Sequence, residues 1–405
     1  MFPKLERKKV FRDPLYGYIY VTEAVISELI DTKEFQRLRR IRQLSGVSMV
    51  FHGAEHSRFS HSLGVYSLAV MVLAEVDILK QRLSEYEQIV FLSAALLHDV
   101  GHGPYSHAFE HVFKVKHEKS TADIITGKTE IHDVLNKYDE SLAKDIASVI
   151  LKTGKFPIIE QLISSQLDVD RMDYLERDAF HTGAAYGRLD RDRIIRMLSI
   201  HEDKVVFKEG AVHAIENYLM SRYHMYWQVY YHPVARSYEV MLESIYKRIL
   251  DLIKSQELND EYADYLKIII ENGFEEDAYF ELDDYYVNGL IKRFSHCDDL
   301  ILSELCNEFL TRKLFKYVSI NSNQDQIFKD VVVNRHLTPY EYKIDYISQA
   351  TYLIDEFDIA VSKILILSKE GELKTLDQIS PIIRGLSTSG IKTDQKLYYR
   401  DKTHA

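Results

Sequence analysis

The stretch Leu96-Leu97-His98-Asp99-Val100-Gly101-His102-Gly103 decides how this chain is read. An apolar helix closes on a His-Asp pair, and glycines and a second His follow at once. The pair sets an imidazole nitrogen beside a carboxylate oxygen, two donors suited to one metal ion. His102 stays within reach of whatever that ion binds. Upstream, Ser84-x-x-Glu87 is a capping-box signature, followed by Ile89, Val90, Leu92, Ala94, Ala95, Leu96 and Leu97. A helix apolar nearly all round belongs in the centre of the molecule. Gly101 is expected to stop it.

Two other helices bring further donors. Val65, Leu68, Ala69, Val72, Leu73 and Val76 recur at helical spacing, and His61 lies on that inward stripe. A third helix is expected from about Leu167 to His181, with Gly183 as its stop. Asp170, Arg171, Tyr174 and Asp178 share one of its faces. A hydrogen-bonded core pair is the plain alternative for His98 and Asp99, because an unpaired buried carboxylate is costly. His61 on an apolar stripe and Asp170 on a polar face instead favour a metal set of His61, His98, Asp99 and Asp170. Such mixed donors suit Mn, Fe, Zn or, less well, Mg, and leave coordination positions open. An open site points to hydrolysis. The two cysteines, Cys297 and Cys306, have neither disulfide-framework nor metal-ligand spacing. His102, His107 and His117 crowd the segment after the pair.

The 405 residues are 46% hydrophobic, enough for a large core and two or three lobes. Helix dominates the first 250 or so residues. Lys204–Gly210 reads as a strand and turn, and Tyr218 to about Leu252 as a Tyr-rich helix broken near Pro233. Beyond residue 255, Phe315–Ile320 and Ile364–Leu367 are β-prone. The expected fold is mainly α: a helical core over 1–255 and a smaller α+β lobe over 256–405. The last dozen residues are polar and expected to be loose. A net charge of −11 argues against nucleic acid as the main partner. A small phosphorylated ligand needs only a few local arginines. No apolar segment follows the basic start, and no run approaches the roughly 18–20 residues needed to span a bilayer. Cytoplasm is the expected location.

An ordered series of motifs then resembles the HD-domain phosphohydrolases. More narrowly, it is similar to the deoxynucleoside triphosphate triphosphohydrolases, the bacterial forms and the catalytic core of the human sterile-alpha-motif and HD-domain enzyme. The text runs Asp31-Thr32-x-x-Phe35-Gln36-Arg37-Leu38-Arg39, Gln43-Leu44 and His56-x-Arg58-Phe59-x-His61-Ser62-Leu63-Gly64-Val65. It continues with His98-Asp99-x-Gly101-His102-Gly103-Pro104-x-Ser106-His107, His117-Glu118, Asp168-Val169-Asp170-Arg171-x-Asp173-Tyr174 and Arg177-Asp178. Coverage is from about Lys9 to about His232, so no sterile-alpha-motif domain is expected ahead of it.

The resemblance implies an HD helical core with an N-terminal regulatory segment. It implies metal ligation by the same quartet and release of deoxynucleoside and inorganic triphosphate from a dNTP. His102, His107, Glu110 and His117 are the implied catalytic group, with His107 or His117 as the acid. Arg58, Arg171, Arg222 and Tyr174 would hold the triphosphate. Gln43, Leu44, Asp178 and Tyr230 would bind the sugar, with Tyr230 excluding ribose. Lys9, Val10, Asp31, Gln36 and Arg39 would recognise an activating dGTP or GTP in a homotetramer. Two other functions remain open: another HD phosphohydrolase, acting on guanosine tetraphosphate or a cyclic nucleotide, and a non-catalytic nucleotide sensor.

Overall fold

The capping box forms as expected. The Ser84 hydroxyl accepts from the Glu87 N–H at 3.2 Å, and the Glu87 carboxylate accepts from the Ser84 N–H at 2.8 Å. It opens the Glu85–Leu97 helix, whose residues Ile89 to Leu97 are all buried. Burying each large apolar side chain there contributes roughly 1.5–3 kcal/mol. This computed structural model describes residues 2–258, 260–272, 276–320, 324–349, 363–388 and 392–402.

The Arg58–Glu75 helix packs along the central one, and the Val169–Thr182 helix packs on Arg58–Glu75. Asp168 caps the latter by accepting from the Arg171 N–H at 2.7 Å, and Gly183 ends it. Gly101 does not stop the central helix, which ends at Leu97. Its hydrogen serves a close approach instead. A Cβ there would fall 2.3 Å from the Thr121 nitrogen and 2.4 Å from the His117 oxygen. The His117–Thr126 helix is thereby seated against the loop after the His-Asp pair, and the Gly101 N–H donates to the Thr121 hydroxyl at 3.0 Å.

The Tyr-rich region begins earlier than expected, at Val212. It runs as a Val212–Met225 helix, a π turn over Tyr226–Tyr230 and a Pro233–Lys254 helix. Pro233 sits in the first turn, where its missing N–H costs nothing.

Sheets are small. Lys4–Asp13 and Gly17–Glu23 form an antiparallel hairpin. Leu198–His201 and Lys204–Lys208 pair antiparallel, and the second pairs parallel with Leu365–Leu367, Phe207 opposite Ile366. Leu373–Thr375 completes that sheet. The third sheet has Lys392–Tyr399 between Lys316–Ser319 and Tyr342–Gln349. Of the dozen residues expected to be loose, 394–399 instead belong to that central strand, and 403–405 lie outside the described residues. Arg400 follows the strand, buried among Glu304, Glu308 and Glu341. The difference has a tertiary cause: Lys396, Leu397 and Tyr398 are consecutive and all buried, so this strand is covered on both faces and shows no alternating pattern. One apolar cluster includes buried residues on both sides of residue 255. The architecture is a helical core with a smaller α+β C-terminal region. No helix among the described residues is long and apolar enough to cross a membrane.

Candidate active site

Three helical segments deliver the expected quartet to one point. Nε2 of His61 lies 3.2 Å from Nε2 of His98 and 3.1 Å from Oδ1 of Asp170. Nε2 of His98 is 3.3 Å from Oδ1 of Asp99 and 3.6 Å from Asp170. Donors bound to one cation at about 2.0–2.2 Å sit about this far apart. Both rings are oriented by their other nitrogen. His98 Nδ1 donates to the Ala95 carbonyl at 3.0 Å, and His61 Nδ1 donates to Asp173 at 2.8 Å. His61, His98 and Asp99 thus bring ligand atoms within 4.8 Å of one another, and Asp170 reaches both imidazoles, an arrangement that positive charge between them would satisfy. Burial alone would lower the His61 pKa, but hydrogen bonds to Asp170 and Asp173 raise it to about 10. A site that favours positive charge so strongly fits a divalent cation. Asp170 is the quartet's most open member, its side chain 31% exposed, so the centre meets solvent on that side.

Behind the quartet, Asp173 is saturated. Arg177 donates to both of its oxygens, at 2.8 and 2.9 Å, and Tyr16 donates to one at 2.7 Å. Gly64 makes room for this: a Cβ there would fall 1.9 Å from Asp173 Oδ1. Sequence reading missed Asp173 and Arg177 as site residues. Two opposite charges at i and i+4, one turn on from Asp170 along the same side of the helix, were the available signal.

A second group adjoins the first. Glu110 Oε1 lies 3.0 Å from His117 Nδ1 and 3.1 Å from His102 Nδ1, and His102 Nε2 lies 3.3 Å from Asp99. The His102 and His117 rings stack at 3.9 Å and 15°. In-plane lone pairs on nearly parallel rings cannot both aim at one cation, so this arrangement suits proton handling rather than ligation. Burial and the nearby Arg58 guanidinium push the His102 pKa down to about 4. Burial would also lower His117, but the hydrogen bond and charge of Glu110 outweigh it and raise its pKa. His107 stands apart, its side chain 75% exposed and 4.0 Å from Glu110.

Arg58 is buried against the quartet. It pairs with Asp99 and donates to the Ser106 hydroxyl at 3.0 and 2.8 Å. Arg171 donates to the Ser165 carbonyl at 2.6 Å and to Asp168 at 3.1 Å. Further along the Val169–Thr182 helix, Asp178 is held from both sides, by His56 Nε2 at 2.8 Å and the Tyr230 hydroxyl at 2.7 Å. Tyr174 and Tyr230 meet edge to face at 6.3 Å. Gln43 joins through its backbone, its N–H donating to the His56 carbonyl at 3.0 Å. Gln43 Oε1, His56 Nδ1 and Arg222 Nε are all buried with no hydrogen-bond partner among the described residues. Orphaned buried polar atoms are rare unless a ligand or water answers them. Leu44 is half-buried and packs on the core. His56 was missed as a site residue, although it stands two positions before Arg58 in the motif.

The residues expected to meet an activator also converge. Lys9 Nζ is 2.6 Å from Asp31, Gln36 donates to the Ile30 carbonyl at 2.7 Å, and Arg39 donates to Gln36 Oε1 at 2.8 Å. Val10 is exposed on the outer hairpin strand.

The loop carrying the second group is pinned by residues beyond 255. Tyr105 and Ser106 both hold positive φ, 54° and 45°. Non-glycine residues stay there only when neighbours enforce it. Asp284 accepts from the Tyr105 N–H at 2.8 Å, Asn288 accepts from its hydroxyl at 2.8 Å, and Tyr279 donates to the Gly101 carbonyl at 2.6 Å. Arg37, fully buried, bridges the His102 carbonyl at 2.9 Å and the Leu282 carbonyl at 3.0 Å.

A helical core that offers two imidazoles and two carboxylates to one cation defines the HD class of hydrolases. The chain belongs to the HD-domain phosphohydrolase family: the HD domain matches residues 58–178, and the HD associated region matches residues 189–265. It is 41% identical over 408 residues to the uncharacterised protein YwfO of Bacillus subtilis, covering 98% of this chain and 93% of that one. It is 30% identical over 268 residues to the deoxynucleoside triphosphate triphosphohydrolase SAMHD1 homolog of Dictyostelium discoideum. That match covers 62% of this chain and about half, 52%, of the relative. The solved structure of a phosphohydrolase from Bacteroides thetaiotaomicron superposes with a TM-score of 0.84 at 29% identity, covering 98% of this chain and all of that one.

Proposed function

We propose that the chain is a metal-dependent dNTP triphosphohydrolase of the cytoplasm, converting dNTP and water to deoxynucleoside and inorganic triphosphate. The observation that carries this reading is the placement of Asp178. It stands two helical turns from Asp170, clamped by His56 and Tyr230, and Gln43 joins His56 through a backbone hydrogen bond. A sugar hydroxyl bound there would leave the 5′ phosphates running toward the quartet. The similarity to the Dictyostelium dNTP triphosphohydrolase supports the same substrate class.

His61, His98, Asp99 and Asp170 would hold a divalent cation, whether Mn, Mg, Fe or Zn. Bound there, it would supply an acidified water and polarise a phosphoryl oxygen. Arg58 offers a fixed guanidinium beside the quartet, and Arg171, Arg222 and Tyr174 extend the positive, donating surface for the triphosphate. Tyr230 would exclude ribose by its bulk, and Leu44 would pack on the sugar.

The departing 5′ oxygen needs a proton. His117 is the better acid of the two candidates, because Glu110 orients it and raises its pKa; His107 lacks so close a partner. His102, held neutral, completes the stack. The patch of Lys9, Val10, Asp31, Gln36 and Arg39 would take dGTP or GTP as activator, in a homotetramer. Residues 1–255 then carry the chemistry, and 256–405 brace its loop.

The test is product analysis. Each dNTP is incubated with Mn or Mg, with and without GTP and dGTP. Deoxynucleoside plus triphosphate is the expected result. Any other phosphate product, or no turnover with any metal, would overturn it.

A further inference from the structure

The Lys4–Asp13 and Gly17–Glu23 strands meet in a tight turn, with Asp13 opposite Gly17. That turn does not simply cover the core. Its tip reaches, through one carboxylate, the back of the His61 ring.

We infer that Tyr16 is a positioning residue of the cation centre, holding His61 in ligating orientation through Asp173. The inference rests on the reading of the quartet as a divalent-cation site. The Tyr16 hydroxyl donates to Asp173 Oδ1 at 2.7 Å, and the other oxygen of the same carboxylate accepts from His61 Nδ1 at 2.8 Å. Two hydrogen bonds therefore connect a hairpin turn to a metal-facing imidazole. Arg177 supplies the remaining donors to Asp173 and also reaches Asp13 at 2.9 Å. Asp13 in turn accepts from the backbone N–H groups of Leu15 and Tyr16, at 2.9 and 3.2 Å, which sets the turn that presents Tyr16. Asp13, Asp173 and Arg177 are buried, so water cannot substitute for a lost partner at low cost.

The geometry explains why a hydroxyl is needed there. Asp173 receives Arg177 on both oxygens, a fork that by itself would pull the carboxylate toward the guanidinium. Tyr16 pulls on Oδ1 from another direction, and that balance leaves Oδ2 aimed at His61. Partners of this kind that orient a ligating imidazole typically change metal affinity 10–100-fold when removed.

The experiment measures metal affinity directly on the full chain. Mn or Zn binding is followed by competition with a chromophoric chelator, and thermal melts of the metal-free proteins report folding. The variants are Tyr16→Phe, Asp173→Asn and, as a control, Tyr20→Phe, whose ring is exposed on the same hairpin. Tyr16→Phe is expected to raise the metal Kd about 10-fold, while the metal-free protein still melts cooperatively, at a somewhat lower temperature because a buried partner is lost. Asp173→Asn is expected to raise it further, and Tyr20→Phe to leave it unchanged. Wild-type affinity in Tyr16→Phe, with or without a lowered melt, would overturn the inference and make the hairpin a passive cover. If the wild-type chain binds neither metal, the reading of the quartet falls first and this inference with it. That outcome is distinguishable because it needs no variant.

Discussion

Nδ1 of His117 lies 3.0 Å from the Glu110 carboxylate, a pairing that raises the imidazole pKa against the opposing effect of burial. A catalytic acid with a raised pKa is fully protonated below it and is lost as pH climbs through it. The alkaline limb of kcat/KM should therefore follow His117. Glu110→Gln removes the raising charge and leaves the burial, so the limb should move to lower pH. On the alkaline side of the profile the variant should fall below wild type, by up to the roughly 10²-fold that general acid catalysis contributes. A pH–rate profile of the two proteins checks this, and an unmoved limb would remove Glu110 as the partner.

The quartet makes a second, simpler demand. His98→Ala or Asp99→Ala should abolish turnover while the protein remains folded by circular dichroism. Chelation of the wild-type enzyme should do the same and lower its melting temperature. A cation present at about 100 times its Kd stabilises the native state by about 2.7 kcal/mol, and chelation withdraws that. Full activity in either variant would refute the ligand assignment.

The quartet was legible because each donor sits where polarity interrupts an apolar pattern: His61 on a buried stripe, His98 and Asp99 at the end of an all-apolar helix. What orients those donors was much harder to see. Asp173 and Arg177 look like an ordinary surface i,i+4 pair until Tyr16 and Asp13, some 160 positions away, are folded against them. Gly101 followed a general habit of helix ends in sequence, whereas its actual constraint, the approach of Thr121, is tertiary. The bracing of Tyr105 by Asp284 is likewise invisible locally, because an Asp near a helix start reads as a cap and nothing more. Regular patterns report burial, and long-range polar partners leave no periodic trace.

Tyr230 donates to Asp178 at 2.7 Å and meets the Tyr174 ring, so it has two separable duties. Tyr230→Phe keeps the bulk and loses the hydroxyl. It should raise KM for dNTPs several-fold, by releasing Asp178, and leave ribonucleotides excluded. Tyr230→Ala removes the bulk as well, and the preference for dNTP over rNTP should fall by at least about 10-fold, the value of 1.4 kcal/mol. Steady-state kinetics with matched dNTP and rNTP pairs decide it. Equal discrimination in wild type and Tyr230→Ala would show that another group reads the sugar.

Asp31 is the exposed member of its ion pair with Lys9, its side chain 64% accessible, and surface pairs of this kind contribute about 0–1 kcal/mol to stability. Asp31→Ala should therefore leave the fold and the unstimulated rate nearly unchanged. A guanine edge presents donors that a carboxylate accepts and acceptors that a guanidinium answers. Gln36 links the patch: it accepts from Arg39 at 2.8 Å and donates at 2.7 Å to the carbonyl of Ile30, the residue before Asp31. Loss of either should raise the dGTP or GTP concentration for half-activation by about 10-fold or more, the cost of one charged hydrogen bond. Activation titrations on wild type, Asp31→Ala and Arg39→Ala measure this beside the basal rate. Superimposable titrations would mean that the patch binds no activator, while a parallel loss of basal and activated rates would mark it as structural.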